Sequence, residues 1–397
     1  MPDYETYKHV FAGIPMPFAY LDLDLLDKNI RDIARAAGNK KVRVASKSIR
    51  SVEVLRHILR SDDTFEGVMC FTASEAAFLA KLGFEDLLLG YPTWEPTGIQ
   101  VLIDLIGEGH SITFMVDCLE HIVHLEALAQ ERGIRIPLCL DIDMSTSYPG
   151  LRFGVWRSPL SDWEKARPVV EKIMSSAWVY LDGVMGYEAQ IAGLGDQAPG
   201  ASFKNSIVRL LKSRSIREVA TRRQEVIHGI RELGANVRFV NAGGTGSLSS
   251  SREEKVVTEL TAGSGFYSPA LFDHYRSFQY QPAAGFAVEV VRQPRENIYT
   301  CMGGGYTASG AADKNKLPKP YLPQGLELMP LEGAGEVQTP LLNRNPSQTA
   351  LKLGDPVFFR HAKAGELCER FDQLHAVSNG AIVGEFSTYR GMGESFL

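Results

Sequence analysis

Val42-Arg43-Val44-Ala45-Ser46-Lys47-Ser48-Ile49-Arg50 is a short apolar run that stops at a lysine and gives way to a helix-forming stretch. An amine at the carboxyl end of a buried strand stands where a barrel of alternating strands and helices keeps its chemistry. Lys41, Arg43 and Arg50 lie close by in the sequence, and crowding by cations favours the neutral amine that a Schiff base needs. A single lysine at a strand end usually just stays wet. The surrounding chain decides between the two readings.

Eight short apolar segments, at 42–48, 68–72, 87–91, 112–117, 137–143, 181–186, 237–241 and 257–261, read as strands. Amphipathic stretches at 24–37, 52–60, 74–82, 119–132, 163–174 and 216–233 read as helices between them. Continuous apolar strands separated by helices imply a parallel α/β sheet buried on both faces. Eight such units favour closure into a TIM-type (β/α)8 barrel, with an open doubly wound sheet as the alternative. After about residue 275 long helices give out, and strand-like runs at 286–292 and 356–360 alternate with Pro- and Gly-rich stretches. The expected division is a barrel over 17–275 and a mostly β carboxyl-terminal domain over 276–397, with 1–16 associated with the latter.

Composition narrows the class. The chain has 397 residues, 44% hydrophobic content and a net charge of −5 with both signs interspersed, so it presents no basic face for nucleic acid. No apolar run approaches the ~20 residues of a membrane span, and the first residues lack the pattern of a signal peptide. The five cysteines are odd in number and scattered, which reads as reduced thiols. The expectation is a soluble cytoplasmic enzyme acting on a small molecule.

Asn241-Ala242-Gly243-Gly244-Thr245-Gly246-Ser247 follows the seventh strand, and Ala262-Gly263-Ser264-Gly265-Phe266-Tyr267 follows the eighth. Glycines let backbone N–H groups approach an anion, and hydroxyls complete a phosphate cradle with little net charge. Barrels often bind phosphate after strands seven and eight. Neither loop matches the nucleotide-binding patterns of P-loops or dinucleotide folds. A lysine after the first strand and a phosphate cradle after the last two face one mouth. A cofactor with an aldehyde at one end and a phosphate at the other spans them, which describes pyridoxal 5′-phosphate.

Pro17-Phe18-Ala19-Tyr20-Leu21-Asp22-Leu23-Asp24, Ala45-Ser46-Lys47-Ser48, Thr72-Ala73-Ser74-Glu75-Ala76, Leu88-Leu89-Gly90-Tyr91-Pro92 and Gly183-Val184-Met185-Gly186-Tyr187-Glu188 occur in an order that resembles the fold-type III pyridoxal phosphate enzymes. Their barrel is that of alanine racemase, and the similarity is greatest to the D-threonine aldolase / D-serine dehydratase branch. The ending around Arg360–Cys368 and Thr388–Gly391 resembles a subgroup called amino acid deaminase/aldolase.

The resemblance implies that Lys47 binds the cofactor aldehyde and that Gly243, Gly244, Thr245, Gly246, Gly263 and Ser264 hold its phosphate. Tyr187 would lie beside the pyridine ring. Arg152, in a segment stretched by an insertion at 145–150, would face the phenolic oxygen. Two positions depart from the family. Gln190 stands where a histidine is usual, and the carboxyl-terminal His-x-Cys or His-x-Asp metal pair reads His361 and Lys363. An ammonium is not a metal ligand, so a divalent metal on His361 is left open beside a hydrogen-bonded structural histidine. Glu366 and Cys368 offer other donors at unusual spacing, whereas His121 and His124 read as surface residues.

The leading expectation is a lyase for a D-configured 3-hydroxy amino acid. Lys47 takes the α-proton, His361 serves retro-aldol cleavage as base, and Lys363 orients or protonates the hydroxyl in dehydration. The alternatives are a racemase, with Tyr306 as second acid/base, and a non-catalytic pyridoxal phosphate carrier. The resemblance also implies a homodimer in which the second domain of one subunit closes the barrel mouth of the other.

Overall fold

The computed structural model describes residues 3–148, 150–347 and 350–397. Eight parallel strands close into a barrel: Lys41–Ala45, Phe65–Cys70, Leu87–Leu89, Ile112–Val116, Ile136–Asp141, Val179–Gly186, Phe239–Ala242 and Glu259–Ala262. They coincide with the eight expected segments, shifted by a few residues; 46–48 turns out to be a 3-10 turn rather than strand. The barrel excludes the open-sheet alternative.

The helices follow from their caps and stripes. In Leu23–Ala37 the Asp22 side chain accepts the Leu25 N–H, and Leu26, Ile30, Ile33 and Ala37 recur on one buried face. Pro96–Gly107 escaped the sequence reading because Pro96 and Gly98 look like a loop. Its start is built instead by the Glu95 carboxylate, which accepts from the N–H groups of Thr97 and Gly98, with proline in the first turn where no N–H is needed. The helix expected at 216–233 is the second half of a longer one, Ser202–Glu232.

Inside the barrel two layers lie beneath the mouth. At the amino ends of the strands, the fully buried Arg43 bonds to Glu259 at 2.8 Å and to Asp86 at 2.8 Å. Arg238 joins Asp86 to Asp182, which also accepts from Thr113. Above this ionic floor sit Leu88, Met115, Cys139, Met185 and Phe239. Gly183 makes room for Phe239, since a Cβ there would lie 2.2 Å from the ring. Only the carboxyl-terminal end stays open.

The second domain is a nine-stranded sheet. Its centre is Phe18–Asp22, antiparallel to Ala284–Arg295 on one side and parallel to Gln373–Ser378 on the other. The helix Tyr4–Val10 packs beside it, with Tyr7 and Phe11 against Tyr20 and Phe358. Residues 17–22, expected in the barrel, thus lie in the second sheet, because their apolar strand pairs there. The barrel's share of the chain begins at the helix Leu23–Ala37. Among the described residues no helix is long and apolar enough to cross a membrane.

Two predictions concern this frame. Replacing Arg43 with Met leaves Glu259 and Asp86 buried without their shared cation, at a cost of about 3–5 kcal/mol. It should appear as a lowered urea midpoint for the barrel; an unchanged midpoint would show that the floor contributes nothing. At the end of the fifth strand, burial pushes the Asp141 carboxyl up to about 7; the Arg157 cation opposes this, while Asp117 and Asp143 add to it. A carboxyl whose folded value is raised favours the folded state at low pH, and that contribution is lost as pH rises from about 4 to about 7. Asp141→Asn should therefore flatten the pH dependence of unfolding in that window and raise stability at pH 8 relative to wild type.

Candidate active site

Lys47 reaches the mouth because its turn is pinned from all sides. The Ser46 hydroxyl donates to the Met69 carbonyl at 2.9 Å, and Arg50 Nε donates to the Lys47 carbonyl at 2.9 Å. Arg50 itself adopts φ 52°, a strained left-handed conformation for a residue with a side chain. The Lys47 ammonium donates to the Tyr91 hydroxyl at 3.0 Å. The nearby cations do not crowd it as the sequence implied. Lys41 pairs with Glu66, Arg43 with Glu259 and Asp86, and Arg50 with Glu369, so each charge is matched where it stands.

The amine opens into a cavity of about 600 Å³ at the carboxyl ends of the strands. Tyr91, Arg157 and Tyr187 form one wall. The Arg157 guanidinium lies 5.3 Å from the centre of the Tyr91 ring and 5.0 Å from that of Tyr187. Burial pushes the Tyr91 phenol up, but the Lys47 and Arg157 cations outweigh it and leave it below the ordinary tyrosine value. Burial drives Tyr187 the other way, to about 12, against Arg157. One phenol is held below the ordinary tyrosine value and the other above it.

Arg152 is not in this cavity, which corrects the sequence expectation. It lies on a hairpin, Thr146–Tyr148 with Leu151–Phe153, where successive side chains face opposite ways. Phe153 turns inward and Arg152 outward, bonding to Asp143 at 2.8 Å and stacking 4.1 Å over Trp156. It lines a separate cleft with Arg214 and Arg222. Arg157, five residues on, is the guanidinium that enters the mouth. No motif marked it.

Gly243, Gly244 and Thr245 line the same cavity, together with Gly263 and Ser264. A Cβ on Gly244 would lie 2.9 Å from Tyr187 Cε2 and from Ala192 Cβ; one on Gly263 would lie 2.8 Å from the Ser48 hydroxyl. Gly243 has φ 86°, which suits only glycine without strain. Among the described residues the N–H groups of Thr245 and Ser264 meet no protein acceptor. Gly246 does not line the cavity and packs on the Ala192 carbonyl. Ser247 is likewise committed: its hydroxyl donates to Glu188 at 2.8 Å and accepts the Gly244 N–H at 3.1 Å. Glu188, fully buried, also accepts from Arg223 and Ser251, and so anchors the loop beside Tyr187.

The second domain of the same chain supplies the remaining wall through Ser309, Lys316, Lys363 and Glu366. This corrects the expectation that a partner's domain brings these residues to the mouth. Lys363 Nζ donates to the Ser309 hydroxyl at 2.9 Å, and burial lowers it below the usual lysine value. His361 is not part of the wall. It is buried, its Nε2 lies 2.8 Å from the Ala364 carbonyl, and burial pushes it down to about 4. The strand ends at Arg360, and in the irregular stretch that follows His361 is buried inside the domain while Lys363, two residues on, reaches the cavity.

Tyr306, the racemase candidate, packs among Phe286 and Phe371 rather than lining the cavity. Gln190 Nε2 bonds to the Met144 carbonyl and to Ser215, and Cys368 donates to the Ile49 carbonyl. The sequence reading paired His121 with His124. The structure instead gathers Asp117, Cys118 and His121, with ligand atoms within 4.8 Å of one another, outside the cavity; His124 stacks on Trp94.

Residues 21–268 match the family described as alanine racemase, N-terminal domain. The 3-hydroxy-D-aspartate aldolase of Paracoccus denitrificans is 28% identical over 256 residues, covering 64% of this chain and 60% of that protein, so less than two thirds of the relative is matched. Among solved structures, D-threonine aldolase from Filomicrobium marinum superposes with a TM-score of 0.81 at 17% identity, covering 95% of this chain and 96% of that one. D-threo-3-hydroxyaspartate dehydratase from Delftia sp. HT23 gives 0.77 at 17% identity, over 98% and 99%. Both share the two-domain fold. With its barrel spanned almost end to end by the family match, the chain belongs to the family of the alanine racemase N-terminal domain.

Proposed function

We propose that the chain is a pyridoxal phosphate-dependent lyase acting on a D-configured 3-hydroxy amino acid. One observation carries this: Lys47, two glycine loops and the cations Arg157, Lys204, Lys316 and Lys363 line a single cavity. The relative named 3-hydroxy-D-aspartate aldolase supports the reaction class.

The residues present suit the cofactor. Lys47 would bind its aldehyde, and the unbonded N–H groups of Thr245 and Ser264, with the Ser264 hydroxyl, would receive its phosphate. Arg157, rather than Arg152, is placed to face a ring oxygen, and a guanidinium holds such an oxygen anionic. Tyr187 lies against Gly244 with a hydroxyl that stays neutral. When bound, the cofactor supplies an electron-withdrawing ring that weakens the bonds to Cα. Lys47, once free, takes the α-proton, and Lys363 addresses the β-hydroxyl. Lys204 and Lys316 line the cavity and make no ion pair among the described residues, which favours a substrate rich in carboxylate.

A racemase needs a second acid/base on the other face of Cα, and Tyr306 does not reach the cavity. A pure carrier has no use for the second domain's wall. We further infer a homodimer in the cytoplasm. Phe203, Ile207 and Leu210 are exposed at 81%, 41% and 54% on one face of the helix beside the mouth, which supports a second copy covering them. The five cysteines are free, which supports a reducing compartment.

Lys47→Ala should lose the visible absorbance of bound cofactor and all lyase activity while keeping its melting temperature. A borohydride-reducible chromophore in that variant would place the cofactor on another amine. Gly244→Val drives a branched side chain into Tyr187 and should raise the dissociation constant for pyridoxal phosphate, titrated into apoprotein, by about tenfold or more, equivalent to ~1.4 kcal/mol. Unchanged affinity would move the phosphate elsewhere. Light scattering of the holoprotein at twice the chain mass would support the dimer.

A further inference from the structure

In the branch that the sequence resembles, a pair of second-domain residues two apart holds a divalent ion. The same pair here is His361 and Lys363, and the donors around it do not suit an ion. His361 Nε2 faces the Ala364 carbonyl at 2.8 Å, so that nitrogen carries a proton and cannot ligate. Its Nδ1 is buried without a hydrogen-bond partner, and the ring does not line the cavity. Cys368 is spent on the Ile49 carbonyl. Glu366, the one side-chain carboxylate lining the cavity among the described residues, accepts both the N–H and the hydroxyl of Ser309. His274 is the only imidazole there, and one imidazole with a committed carboxylate falls short of the three protein ligands of a catalytic ion.

What the wall offers instead is a held ammonium. Lys363 Nζ is fixed by the Ser309 hydroxyl at 2.9 Å and the Ser309 carbonyl at 3.3 Å. Ser309 is in turn fixed by Glu366, so the cation sits on a short chain of hydrogen bonds rather than swinging on a free stem. Lys316 lines the same wall and makes no ion pair among the described residues. A divalent ion in such a place draws charge from the substrate's β-oxygen. A held ammonium does the same and, unlike an ion, also carries a proton to give.

We propose that Lys363 takes the place of a divalent ion in this chain, and that the chain removes water from its 3-hydroxy amino acid without a metal. The inference rests on the lyase reading above. Lys47 takes the proton from Cα, and the electron pair of that bond becomes the second bond between Cα and Cβ. The Cβ–O bond breaks with its pair going to oxygen, which takes a proton from the Lys363 ammonium and leaves as water. The enamine released gains a proton at Cβ, adds water at Cα and yields a keto acid and ammonia. No electrons are gained or lost overall.

The test uses holoenzyme freed of metal by chelation, with metal content measured. D-threo-3-hydroxyaspartate, D-serine and D-threonine are supplied in turn while keto acid, ammonia, glycine and aldehyde are assayed. The expected result is keto acid and ammonia at the same rate with and without chelator. Lys363→Met should retain the absorbance of bound cofactor but lose ~10²–10³-fold in kcat, with a smaller change in KM, and Lys363→Arg should recover part of the loss. Activity restored only by Mn²⁺ or Zn²⁺, or a Lys363→Met variant with wild-type kcat, overturns the inference. So do glycine and aldehyde as the products, though they leave the lyase reading standing. Turnover of none of the three substrates by cofactor-loaded protein overturns that reading itself.

Discussion

Gly365 lies so close to the turn that carries Lys47 that a Cβ there would sit 2.7 Å from the Ser48 carbonyl carbon and 3.0 Å from the Lys47 carbonyl oxygen. This backbone-to-backbone contact between the two domains sets the geometry of the mouth. Around it, Tyr267 and Cys368 both donate to the Ile49 carbonyl, Tyr389 N–H donates to the Arg50 carbonyl, and Arg50 pairs with Glu369. The strained turn is thus held between its strand and a second domain that leaves it no room to relax. A reactive amine works only within a narrow range of positions, and rigid support from a surrounding shell is what keeps it there. The same contact carries Lys363 and Glu366, on either side of Gly365, to the cavity.

Charge in the barrel is arranged along its axis. At the floor, arginines and carboxylates compensate one another and are separated from the mouth by a layer of apolar, largely sulfur-bearing and aromatic side chains. At the mouth, the glycine loops offer neutral N–H groups, and cations line the same cavity. An anion entering the barrel mouth meets the cationic side chains Arg157, Lys204, Lys316 and Lys363 there. The floor contributes stability and the mouth contributes attraction, and the layer between keeps the two from interfering.

Much of this was legible in the residues. The eight strands are continuous apolar runs because both faces are covered, and such runs stand out from amphipathic helices. Lys47 and the paired glycine loops were legible because close backbone approach leaves glycine as its mark. Three features were not. The helix Pro96–Gly107 carries residues that usually break helices, and its cap is a glutamate rather than a serine or threonine. Arg152 lies on a short hairpin and Arg157 four residues beyond its end, and an insertion hides which of the two reaches the mouth. His361 and Lys363 lie in the irregular stretch after a strand that ends at Arg360, where period-two alternation no longer sets direction. Side-chain direction after an irregular segment is a tertiary property, so spacing alone does not yield it.

The place of Phe18–Asp22 at the centre of the second sheet bears on how the chain is made. Translation delivers this strand early, but its neighbours Ala284–Arg295 and Gln373–Ser378 emerge only after the whole barrel. The barrel therefore folds while an apolar strand and the aromatic helix before it wait without partners, exposed to whatever else is nearby. Closing that sheet joins segments separated by nearly the full length of the chain, which is slow and is vulnerable to pairing with a neighbouring chain. The active wall, being part of the same late domain, takes shape at the end. A chain that ends before Ser309 lacks the whole wall that Ser309, Lys363 and Glu366 give the cavity.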